Sequence, residues 1–130
     1  MKLLLDTHVW LWSLLDPQRL SETAKRAVSD SQSELCLSPI STWETMVLAR
    51  KGRVELRPSP RQWVLDALRR SALTPAPLSH LVSVRSEALE GFGSEDPADR
   101  FLVATALEQD MALITADGDM RDYPPLNTVW

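Results

Sequence analysis

Apolar positions along this chain alternate between short continuous runs and longer stretches of helical spacing. Leu3-Leu4-Leu5, Glu34 to Ser38 and Met111 to Thr115 are compact runs, two of them meeting a polar residue directly. A run of this kind reads as a strand buried on both faces, where strict alternation would mark a half-exposed one. Between the runs the spacing is helical. Val9 to Leu15 is one such stretch, halted at Asp16-Pro17. Ser21 is a fitting N-cap for a second helix through Ala24, Ala27 and Val28. Pro39 suits the first turn of a third, which carries Ile40, Trp43, Val47 and Leu48 and ends at Gly52.

Val54 to Leu56 is apolar but too short to assign. Arg61 to Ser71 is amphipathic, with Val64, Leu65 and Leu68 expected inward. Leu73 to Leu78 contains two prolines and is therefore an edge strand or a loop. Ser79 to Leu89 reads as helix, Gly91 to Ser94 as loop, and Pro97 to Gln109 as a helix apolar on most sides. Thr128 to Trp130 reads as a short closing strand. Strands and helices alternate without hairpin signals, which predicts an α/β fold, a mostly parallel sheet covered on both faces. Residues 1–130 are expected to form a single domain.

Charge changes the picture through its distribution. The net charge of −4 excludes a protein that coats nucleic acid by charge alone. Arg50 to Arg70, however, holds seven basic residues against Glu55 and Asp66, whereas Glu87 to Asp122 is strongly acidic. The single cysteine, Cys36, lies inside an apolar run, so a buried thiol is expected and no disulfide framework is possible. With two histidines no Cys/His zinc site can be assembled. The apolar opening meets Asp6 too early for a signal peptide or a membrane span, and a cytoplasmic protein is expected.

The candidate chemistry is carboxylate chemistry. Asp6 follows the first strand and Asp117 the last long one; Asp96 and Asp99 open the buried helix; Glu44 lies early in the helix after the second strand. In open parallel sheets, ligands gather beyond the carboxyl ends of the strands, so all five can converge there. Crowded carboxylates repel unless a cation joins them, and an all-oxygen set favours Mg²⁺ or Mn²⁺ over zinc. Several of these acids also have structural readings. Asp96-Pro97-Ala98-Asp99 is good helix-start chemistry, Ser41-Thr42-Trp43-Glu44 matches a capping box, and Asp117-Gly118 can begin a turn. Asp6 has no comparable structural role. His8 and His80 are possible proton carriers, with helix-start or packing roles as the alternative. No Gly-rich phosphate loop or Gly-x-Ser-x-Gly elbow is present, and the five tryptophans read as core or interface.

In order along the chain, Leu3-Leu4-Leu5-Asp6-Thr7-His8, Ile40-Ser41-Thr42-Trp43-Glu44, Asp96-Pro97-Ala98-Asp99-Arg100 and Leu113-Ile114-Thr115-Ala116-Asp117 resemble the four motifs of the PIN-domain nucleases, specifically VapC toxins. The resemblance covers nearly the whole chain. It implies a PIN-like three-layer α/β/α fold and Mg²⁺- or Mn²⁺-dependent endoribonuclease activity. Structured RNA such as tRNA or rRNA is the implied substrate, cut to 5′-phosphate and 3′-hydroxyl ends. It further implies a VapB-like antitoxin and a homodimer. On this reading Asp6, Glu44, Asp99 and Asp117 hold one or two ions, with Asp96 supporting, while Arg100 and the Arg50–Arg70 region grip the RNA backbone. Gly93-Ser94-Glu95 departs from relatives that carry His or Arg before the Asp96 position. Two rivals remain at this point: a catalytically inactive PIN-fold RNA-binding or scaffold protein, and a phosphoacceptor domain, which would need a lysine after a late strand.

Overall fold

A computed structural model describes residues 1–130. In chain order it contains β1 (Lys2–Leu5), α1 (Thr7–Leu15), a 3₁₀ turn at Pro17–Arg19, α2 (Glu22–Ser29), β2 (Glu34–Leu37) and α3 (Pro39–Arg50). There follow α4 (Pro60–Arg70), β3 (Thr74–Pro75), α5 (His80–Ser86), α6 (Pro97–Glu108), β4 (Ala112–Ile114), α7 (Gly118–Arg121) and β5 (Thr128–Val129). The sheet is wholly parallel in the order β3-β2-β1-β4-β5.

Both faces of the sheet are apolar because the strand pleat alternates two sets of large side chains. Leu4, Cys36 and Leu113 face one layer, where Leu102, Val103 and Ala106 of α6 and Met120 of α7 cover them. Leu3, Leu5, Leu37 and Ile114 face the other, under Val9 and Trp10 of α1, Ala24 of α2 and Val64 of α4. Each fully buried leucine contributes about 1.5–3 kcal/mol relative to exposure, so the two layers together hold the sheet between helices. This is the expected α/β/α arrangement, and burial on both faces explains the absence of alternating polarity in β1 and β4.

Several sequence expectations are corrected. Leu65 does not point inward: it is exposed, while Ala67 and Leu68 complete the packed face of α4 with Val64. The helix expected to Leu89 ends at Ser86. Val54 to Leu56 forms no regular element, although Leu56 is buried. Neither the 3₁₀ turn nor α7 was expected, since each is too short to show a period. The Leu73–Leu78 segment resolves as a two-residue edge strand, which suits proline because an edge needs no donor on its outer side. No helix is long and apolar enough to cross a membrane.

Chain order reverses at the centre of the sheet. From β1 the chain moves outward to β2 and β3, then returns to place β4 on the other side of β1. The crevice beyond the carboxyl ends of β1 and β4 is therefore the topological switch point, where helices diverge and leave an opening.

Candidate active site

Asp6 stands at that switch point. Its backbone N–H is the last rung of the ladder to β4, donating to the Ile114 carbonyl at 3.0 Å, and its own carbonyl accepts from Trp10 N–H as α1 begins. Although Asp6 occupies the N-cap position, its side chain makes no capping bond. The carboxylate instead accepts a 2.7 Å hydrogen bond from Thr115 Oγ1, at the end of β4, and is only 7% exposed. Burial pushes its pKa up; the Thr115 hydrogen bond and the charge of His8 oppose this, and Glu44 adds to it.

The other acids approach from three further elements. Glu44 lies in α3, whose N-cap Ser38 accepts from Ile40 N–H through its Oγ at 3.0 Å. The helix thus starts two residues before Ser41, so the capping-box reading of Ser41 to Glu44 is wrong. Ser41 is buried inside the helix and accepts from Thr7 Oγ1 at 2.8 Å, which ties α3 to α1 beside Asp6. Asp99, in the first turn of α6, accepts from Ser94 Oγ at 3.0 Å. Its pKa is raised to about 7, first by burial, then by Asp96, with Asp6 and Asp117 adding to the effect and Ser94 opposing it. Asp96 and Asp117 do cap helices, accepting from Ala98 N–H at 2.9 Å and Met120 N–H at 3.1 Å. Their structural readings hold, and each still presents to the opening.

Asp6, Glu44, Asp96, Asp99 and Asp117 all line one cleft of about 730 Å³. Its other walls are Val9, Leu11, Trp12, Leu15, Leu48 and Val54, with His8, Asp16, Arg19 and Arg53 at the same opening. The carboxylates ring the cleft without closing on a point: no three His, Cys, Asp or Glu groups stand as a ready-made metal cage. The donor chemistry nevertheless fits a hard cation. It is all oxygen, one member is buried, and a second has its pKa raised to about 7, first by burial and then by its acidic neighbours. Mg²⁺ keeps several waters and is commonly bound through one or two carboxylates, so it needs no closed protein cage.

The PIN domain family model matches residues 3–125. This chain belongs to the PIN-domain family. Within it the likeness is to VapC proteins: the chain is 35% identical to Ribonuclease VapC22 of Mycobacterium tuberculosis, over 98% of this chain and 97% of that one. Among solved structures, VapBC2 from Rickettsia felis, bound to a DNA fragment from its promoter, superposes with a TM-score of 0.73 at 14% identity, covering 98% and 97% of the two chains. A toxin–antitoxin complex from Klebsiella pneumoniae gives 0.64 at 25% identity, covering 95% and 93%. The first of these likenesses bears on the fold alone.

In this PIN domain the residues that orient the acids were not legible as site residues. Thr115 and Ser94 hold Asp6 and Asp99 through single hydroxyls, and Thr7 and Ser41 fix the helices between Asp6 and Glu44. Arg100 is not among the residues lining the cleft: its Nε donates to the Ser86 carbonyl at 2.9 Å and its Nη1 to the Ser94 carbonyl at 3.0 Å. It pins the loop that carries Ser94 to Asp99. Of the basic Arg50–Arg70 region only Arg53 lines the cleft. Cys36 is buried and its thiol pKa is pushed up by burial, with Glu34 adding, so it belongs to the core.

Proposed function

We propose that this chain is a Mg²⁺- or Mn²⁺-dependent endoribonuclease acting as the toxin of a toxin–antitoxin pair. The observation that carries the reading is the placement of Asp6: a buried carboxylate at the switch point, unused as a cap, in one cleft with Glu44, Asp99 and Asp117. A 35% identity to a ribonuclease, spread over 98% of the chain, supports the activity, and the likeness to a toxin–antitoxin complex from Klebsiella pneumoniae supports a VapB-like protein partner.

On this reading Asp6, Glu44, Asp99 and Asp117 would hold the ion, with Asp96 in support. The bound ion supplies a water of lowered pKa and offsets charge on the phosphoryl oxygens. The chain itself orients the donors. Thr115 fixes one oxygen of Asp6, Ser94 fixes Asp99, and the Thr7–Ser41 bond sets the separation of α1 from α3. Leu11, Leu48 and Val54 give the cleft apolar lining beside the acids. A cytoplasmic homodimer acting on tRNA or rRNA completes the proposal.

The test is cleavage of RNA by purified protein with Mg²⁺ or Mn²⁺, followed by mapping of cut ends in cells induced to make the chain. Cleavage that vanishes in Asp6→Asn supports the reading. An inert wild-type chain that still binds RNA would leave the scaffold alternative in its place.

A further inference from the structure

The cleft has a second half that the carboxylates do not explain. In the same cleft, Trp12 of α1 is wedged between three neighbours. His8 lies one helical turn earlier at 5.8 Å between ring centroids, Trp130 tilts against it at 6.1 Å, and the Arg19 guanidinium sits 4.5 Å above the indole. The 3₁₀ turn after α1 makes this possible by folding the chain back, with Arg19 N–H donating to the Asp16 carbonyl at 3.1 Å. Stacking on the indole favours one position of an otherwise flexible arginine.

Arg19 is exposed, lines the cleft, and has no carboxylate partner. The four ion pairs of the chain all lie elsewhere, and no side-chain hydrogen bond uses the guanidinium. In a cleft bearing six acidic residues, an ordered arginine left unpaired is placed for an anion from outside.

We infer that Arg19, positioned by Trp12, grips a phosphodiester of the RNA backbone next to the one cut at the carboxylates. The inference rests on the ribonuclease reading and adds the substrate contact to it. A planar guanidinium offers two parallel donors to a phosphate, and stacking leaves its edge free for them. The contact carries no base information; it sets where along the strand the scissile phosphate lies.

The experiment measures binding of a fluorescently labelled single-stranded RNA to the Asp6→Asn chain across a range of salt, with and without Arg19→Ala. Cleavage by the otherwise unaltered chain is followed in parallel. Loss of one phosphate contact should weaken binding about threefold to tenfold and lower the slope of log Kd against log salt by about 0.7. In the cleaving chain KM should rise while kcat stays within about twofold, the pattern of lost uniform binding. Trp12→Leu should weaken binding while keeping the salt slope, because the charge remains but its position is lost. An unchanged slope and KM in Arg19→Ala, with only a lower Tm, would make Arg19 a packing residue and overturn the inference alone. So would a variant that binds RNA normally but no longer binds the antitoxin, since this half of the cleft would then serve a protein. Failure of the unaltered chain to bind or cut RNA would overturn the ribonuclease reading as well.

Discussion

Thr115 Oγ1 donates a 2.7 Å hydrogen bond to Asp6 Oδ2, joining side chains 109 residues apart across the ends of β1 and β4. The same hydroxyl accepts from Asp117 N–H at 3.0 Å, so one oxygen organises acids on both sides of the switch point. Thr115→Val keeps the shape and removes both bonds. It should reduce RNA cleavage at least tenfold and cost about 1–3 kcal/mol, because the Asp6 carboxylate and the Asp117 amide lose a buried partner. Thr115→Ser should retain most of both. Cleavage rates and denaturant unfolding check the pair.

Asp99 sets a pH dependence of the metal-free protein. Its folded pKa of about 7 lies above the ordinary 3.8, so below about pH 4 it is protonated in both states and its stabilising contribution is complete. As pH rises through 7, the folded state must give up a proton it holds more tightly than the unfolded chain, and stability falls. Thermal unfolding in EDTA should show Tm declining between about pH 4 and pH 7, and Asp99→Asn should flatten that decline. A Tm that rises across this window would contradict the raised pKa.

Divalent cations should reverse the decline. Ions that bind the folded chain alone raise Tm by mass action. The gain from Mg²⁺ or Mn²⁺ should be larger at pH 8 than at pH 5, where a protonated Asp99 is a poor ligand. Asp6→Asn should remove most of the gain together with activity, and EDTA should abolish cleavage by the wild-type chain. Titration of Tm against Mg²⁺ at the two pH values checks this.

The antitoxin prediction concerns competition at the acids. A VapB-like partner that places an Arg or Lys among Asp6, Glu44, Asp99 and Asp117 would neutralise the same charge that the cation does. Binding of the partner should therefore weaken Mg²⁺ binding, and growth arrest by the chain alone should be relieved when the neighbouring antitoxin is made with it. Calorimetric titration of the pair with and without Mg²⁺ measures the coupling; independent binding would refute shared occupancy.

Much of this protein was readable from local pattern. Leu3 to Leu5 read as a two-faced strand, Pro39 and Asp96-Pro97 marked helix starts, and each acid of the site lay at or soon after such a boundary. Those features depend on periodicity and on side chains acting on their own backbone, which neighbours along the chain encode. The PIN-like order of the four acidic segments was legible for the same reason.

Other features depend on contacts between residues distant in sequence, and these only the tertiary structure decided. The direction of Leu65 followed from where α4 landed, since an amphipathic helix can rotate until its best face meets the sheet. That Arg100 donates to the Ser86 and Ser94 carbonyls could not be read from its neighbours in sequence. Arg19 looked like an ordinary surface charge until the turn after α1 laid it over Trp12. Asp6 was identifiable by type and place, but its burial and its hold by Thr115 arise where β1 meets β4. Hydrogen bonds and desolvation act through distance in space, and sequence spacing carries that distance only within a helix turn or a strand rung.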